Sequence, residues 1–152
     1  MQIGRFKLFE KHVIGYGFNP LLVRYILFRI PRFGIYLHQL LRSDYELALH
    51  DHPWPFISIT LRGGYIEVHD QTIDGKQVFQ PHTRGDILIR PAEWRHRFIL
   101  DDNKPPTWTL VIVGRRQRNW GFFLKDGWCW WRKHNEDLGI CEEDVIHTGG
   151  SD

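Results

Sequence analysis

From position 34 onward, apolar and polar residues alternate in short runs separated by turn residues. That is the pattern of an all-β domain. The runs that read as strands are GIYLHQLLR, PFISITLR, YIEVHD, KQVFQ, DILIR, RHRFIL, TWTLVIVG, NWGFFL and WCWWRK. Turn signals lie between them: Ser43-Asp44, Gly63-Gly64, Asp74-Gly75, Arg84-Gly85-Asp86, the segment 102–106 and Asp126-Gly127. Two glycines between apolar runs predict a tight hairpin at Gly63-Gly64, because a type I′ turn needs positive φ at both central residues. Eight or nine strands at this spacing suit a sandwich or a closed barrel.

The first 33 residues read differently. Asn19-Pro20 has the chemistry of a helix start, with Asn as cap and Pro at the first helical position, and Pro31 would stop a helix running through LLVRYILFRI. The same run is rich in β-formers, so a strand is the rival, but the pattern favours a short helical or otherwise irregular extension over 1–33. The reading is therefore one domain: an extension over 1–33, a barrel over 34–134 and an acidic, fraying tail over 135–152.

Composition narrows the partners. Of 152 residues, 42% are hydrophobic and 25% charged, and a net charge of +2 argues against nucleic acid or an anionic membrane as the main partner. Charges interrupt every apolar stretch before it reaches the ~18 residues of a membrane span, and the first residues lack the apolar run of a secretory signal. Two cysteines build no disulfide framework. A cytoplasmic setting and a small-molecule substrate follow as expectations.

Histidine is unevenly placed: six of the nine fall between positions 38 and 96. In His50-Asp51-His52 the two imidazoles are two residues apart, so on a strand they share a face and can present nitrogens to one point. A third ligand is needed. About twenty residues past Gly63-Gly64 comes GDILIRPAEWRH, with Gly85, Pro91 and His96.

Together these spacings resemble the cupin family at both of its signature motifs, over positions 34 to 114. The paired histidines and later glycine of the first motif are met by His50, His52 and Gly63 or Gly64; the second by Gly85, Pro91 and His96. The resemblance implies a cupin jelly-roll barrel in which His50, His52 and His96 hold one divalent metal. It also exposes departures. The family's acidic ligand would fall at Phe56 or Ile57, and later motif positions hold Glu93 and Leu100. Sites of three histidines in this superfamily resemble those of thiol and β-diketone-cleaving dioxygenases, which use iron(II). Imidazoles alone also suit Zn, Ni or Cu, and Mn serves redox-neutral cupins.

Other residues carry weaker signals. Glu67 could supply a displaced carboxylate if it points inward, or face solvent with His69 while Ile66 and Val68 face the core. His38 could line the cavity or support a ligand, and His82 is expected on an exposed turn. Trp54, Phe56, Tyr65 and Trp94 could wall an apolar pocket, and Arg90 could clamp a substrate carboxylate. The resemblance implies a metal-dependent enzyme, foremost an iron(II) dioxygenase; a redox-neutral isomerase or lyase and a non-catalytic ligand-binding cupin are the alternatives. Cupins often pair as dimers, and a homodimer is expected as a possible state.

Overall fold

The computed structural model describes residues 6–16, 19–44 and 47–137, so most of the acidic tail, with Cys141 and His147, lies outside the described residues. Twelve strands and one short helix follow one another: β1 (Lys7–Tyr16), β2 (Asn19–Ile30), β3 (Phe33–Leu40), β4 (Leu49–His50), β5 (Phe56–Arg62) and β6 (Gly64–His69). Then come β7 (Val78–Thr83), β8 (Ile87–Arg90), β9 (His96–Ile99), β10 (Thr107–Val113), β11 (Gly121–Leu124), β12 (Gly127–Trp130) and α1 (Trp131–Asp137). They form two antiparallel six-stranded sheets, ordered β1-β2-β3-β10-β5-β8 and β12-β11-β4-β9-β6-β7. This is the arrangement of a jelly roll, and it bears out the all-β expectation.

The N-terminal region departs from the helical expectation. Residues 19–30 form β2, paired with β1 on one side and β3 on the other. The Asn-Pro signal is local, whereas Leu22, Arg24 and Ile26 fall opposite Leu40, His38 and Tyr36 of β3, extending that sheet's inner face. Tertiary pairing of a β-branched, aromatic run overrides the cap signal. Pro20 sits near the start of the strand, where a missing donor costs least.

Gly63-Gly64 is also not a hairpin. β5 and β6 lie in different sheets, and the two glycines form the corner where the chain crosses between them. Only Gly63 has positive φ (78°), and a Cβ there would stand 2.7 Å from Thr107 Oγ1. The Thr107 hydroxyl donates to the Gly64 carbonyl at 2.7 Å and accepts from its N–H at 3.1 Å, pinning the corner.

The compact core of the first sheet is Ile26, Tyr36, Phe56, Val111 and Val113, with Trp54 packed against it. Between the sheets lies a cavity of about 290 Å³, lined by Leu22, Tyr36 and Val111 from one sheet and by His50, His96 and Phe122 from the other. Among the described residues no helix is long and apolar enough to cross a membrane.

Candidate metal centre

β4 pairs with β9 so that His50 and His96 are direct cross-strand partners. The chain leaves the ladder at Asp51, yet stays anchored: Asp51 N–H donates to the Gly121 carbonyl and His52 N–H to the Ala92 carbonyl. The Asp51 carboxylate, fully buried, accepts from Gly121 N–H (2.8 Å), Trp128 Nε1 (3.1 Å) and Arg118 Nη2 (2.8 Å). Asp51 thus locks the segment from which His50 and His52 reach the cavity.

The three imidazoles form a near-equilateral triangle. Ring centroids are 5.2 Å apart for His50–His52, 5.2 Å for His50–His96 and 4.9 Å for His52–His96. One nitrogen from each lies within 4.8 Å of the other two, and the Nε2 atoms of His52 and His96 are 3.3 Å apart. Nitrogens bound to a single ion at ~2.0–2.1 Å are separated by about 3.0–3.4 Å at cis angles. Burial, and after it the neighbouring His96, pushes His50 down to about 3 and His52 well below the ordinary imidazole value. Both rings are therefore neutral at physiological pH, which is the ligating form. Geometry and protonation both fit a divalent metal.

Glu67 settles its two readings. It points inward and is fully buried, but its oxygens are already engaged. Oε1 accepts from His96 Nδ1 (2.7 Å) and Trp94 Nε1 (2.9 Å); Oε2 lies 2.9 Å from His82 Nε2 and accepts from Arg90 Nη2 at 2.9 Å. Burial alone would raise its carboxyl, but the bonds from His96 and Arg90 win and hold it far below the usual carboxylate range. An anion on Nδ1 keeps the proton there and leaves His96 Nε2 with its lone pair aimed at the triangle. Glu67 supports a ligand and does not join the three.

The remaining sequence candidates divide. Trp54, Phe56 and Tyr65 line the cavity, whereas Trp94 and Arg90 do not; they serve the Glu67 cage instead, with the Arg90 guanidinium 4.0 Å above the Trp94 ring. His38 lines the cavity outside the triangle, and its Nε2 accepts from Arg24 Nε at 3.0 Å. His82 is buried on β7, not exposed on a turn, because its ring is drawn to Glu67. His69 is buried too, beside Trp94.

Three contributors escaped the sequence. Trp120 and Phe122 wall the cavity with their rings 6.2 Å from His50, an outcome of β11 pairing with β4. Asp44, read only as a turn residue, lines the cavity and accepts from Phe98 N–H at 2.8 Å. Burial raises its carboxyl to about 6, and its Oδ2 stands 3.9 Å from His50 Nδ1.

No family model and no curated protein matches the sequence. Solved structures do match. The chain is similar to Fe(II)-HppE with the alternative substrate (S)-1-HPP, at 12% identity and a TM-score of 0.54 over 70% of this chain. It spans 58% of that HppE chain. It is similar to a candidate mannose-6-phosphate isomerase from Ralstonia eutropha JMP134, at 18% identity and a TM-score of 0.55, covering 67% of this chain and 91% of that one. An RmlC-like cupin from Shewanella frigidimarina NCIMB 400 matches at 16% identity and a TM-score of 0.52, over 72% of this chain and 86% of the other. Such identities speak to fold, and with two antiparallel six-stranded sheets enclosing a histidine triangle they establish that this chain has the cupin fold.

Proposed function

We propose that the protein is a mononuclear metal enzyme, an iron(II)-dependent dioxygenase of a small, largely apolar organic molecule. The observation that carries this reading is the triangle of three imidazoles, two of them, His50 and His52, held neutral by burial, opening into an apolar cavity. His50, His52 and His96 would hold the ion, leaving positions open to substrate and O₂. When bound, iron(II) supplies the electrons that activate O₂. The fold likeness to Fe(II)-HppE supports that choice of metal.

The chain's own residues do the rest. Glu67 keeps the proton of His96 on Nδ1, so the ligating nitrogen stays free. Trp54, Phe56, Trp120 and Phe122 exclude bulk water from the reacting atoms. Burial, and then the charge of Glu67, raises the Tyr65 phenol, which stays protonated and can donate a hydrogen bond into the cavity. At about 290 Å³ the space lies at the lower end of ligand sites, in keeping with a small substrate.

Asp44 favours a second reading. A cavity carboxyl near 6 is poised to exchange protons at neutral pH, as a redox-neutral isomerase or lyase requires. One experiment separates the two. Protein purified anaerobically and loaded with iron(II) is offered thiols, diketones and phenolic acids in an oxygen electrode. Substrate-dependent O₂ uptake is expected; silence with the whole panel, together with stoichiometric zinc in untagged protein, would transfer support to the redox-neutral enzyme.

A further inference from the structure

The inner face of the first sheet carries a polar row between apolar ones. Register sets Arg24 of β2 opposite His38 of β3, His38 opposite Thr109 of β10, and Thr109 opposite Thr60 of β5. Leu22 and Leu40 stand in the row on one side, Tyr36 and Val111 in the row on the other. Arg24, His38 and Thr109 all line the cavity, and among its described lining residues Arg24 is the one lysine or arginine.

The row holds this arginine in a defined pose. Arg24 Nε donates to His38 Nε2 at 3.0 Å, and the guanidinium carbon stands 5.0 Å from the centre of the Tyr36 ring. Burial, and after it the charge of Arg24, pushes His38 well below the ordinary imidazole value, so His38 stays a neutral acceptor and the positive charge sits on Arg24. The carboxyls of the lining lie elsewhere: Asp51 is bound by Gly121, Trp128 and Arg118, and Asp44 stands beside His50. Arg90, the clamp expected from the sequence, is held by Glu67 and does not line the cavity. The cavity is therefore polarised, with a cation on one sheet and the histidine triangle on the other.

We propose that Arg24 anchors a carboxylate of the substrate, so that the substrate is a small organic acid held between the sheets with its reacting end at the triangle. The inference rests on the cavity being the substrate site of the proposed enzyme. A guanidinium fork matches a carboxylate by two parallel hydrogen bonds, and the bond from Nε to His38 fixes the plane of that fork beforehand. Facing sheets pack about 10 Å apart, a gap that a short acid spans. Its apolar body would lie against Tyr36, Trp54 and Val111, which line the same cavity.

Isothermal titration calorimetry of the full chain tests the proposal, on chelator-treated protein and on protein loaded with iron(II) under argon. The probes are benzoate, phenylacetate and 3-phenylpropionate, each beside its amide. At least one acid should bind about ten times or more tighter than its amide, with or without metal. Arg24→Met should weaken that acid about 10–100-fold, the range for a hydrogen-bonded charge, and leave its amide within about twofold. Arg24→Lys, which keeps the charge without the fork, should lose about tenfold, and it reports even if Arg24→Met fails to fold. Far-UV circular dichroism and chelator competition should show fold and metal affinity unchanged in the variants. Acids bound no better than their amides, or not bound at all, would overturn the anchor. So would a preference for the acid that survives Arg24→Met, or one that needs the metal. Oxygen uptake plays no part in the readout, so the anchor can fail while the metal enzyme stands, and a silent enzyme leaves the titration of metal-free protein intact.

Discussion

The two sides of the histidine triangle are held in different ways. Behind His96 stands a fully buried carboxylate, Glu67, itself caged by His82, Arg90 and Trp94. Behind His52 no anion stands among the described residues: Phe56 lies against the ring at a centroid distance of 4.6 Å, and Nδ1 is buried without a hydrogen bond of good geometry. Phe56 occupies one of the two positions at which the cupin pattern would place an acidic ligand. The carboxylate is therefore displaced and not lost. It enters from β6, behind His96, where it orients the imidazole and would add its charge one step removed from a bound ion.

The harshest way to break that comparison is to remove a ligand. Structural metal binding of ~10–16 kcal/mol shared over three or four ligands gives about 2.5–5 kcal/mol each, so His96→Ala should weaken affinity on the order of 100-fold or more, measured by competition with a chromophoric chelator. Glu67→Gln should cost a factor of ~10–100 in the same assay, because the amide no longer fixes the His96 tautomer. It should also lower the melting temperature, since Arg90 and His82 lose their anion in a buried setting.

Acid sharpens the contrast on the other side. His50 and His52 have folded values below their unfolded 6.5, so their neutral forms stabilise the metal-free fold above pH 6.5. That contribution is lost as pH falls from 6.5 towards 3. Asp44, raised to about 6, works in the opposite sense between 3.8 and 6, one carboxyl against two imidazoles. Thermal melts of chelator-treated protein should fall steadily below pH 6.5, and His50→Phe should blunt the slope. The smallest effect is expected of Trp94→Phe, which removes one of four donors to Glu67: about 1–2 kcal/mol of stability by denaturant titration, with metal affinity within about threefold.

Much of this centre was legible in the chain. The spacing of Gly85, Pro91 and His96 resembles the second cupin motif, and the histidine that motif supplies lies in one cluster with His50 and His52. What escaped depended on pairing between distant strands. The period-two pattern of YIEVHD fits Glu67 inward or outward equally, and only its register with β9, which sets Glu67 opposite Phe98, decides it. His82 sits in a Pro-His-Thr-Arg-Gly string that signals a turn, but its ring answers to a carboxylate fifteen residues away. The N-terminal hairpin was hidden for a similar reason: Asn19-Pro20 is a local helix signal, and β3, which makes 19–30 a strand, lies beyond the next turn.

X-ray absorption at the iron edge, on anaerobically loaded protein, tests the central claim most directly. The account predicts one iron per chain with the multiple-scattering signature of three imidazoles and no protein carboxylate among the ligands. Two imidazoles with a carboxylate, the pattern expected if Glu67 turned from its cage to the ion, would contradict it.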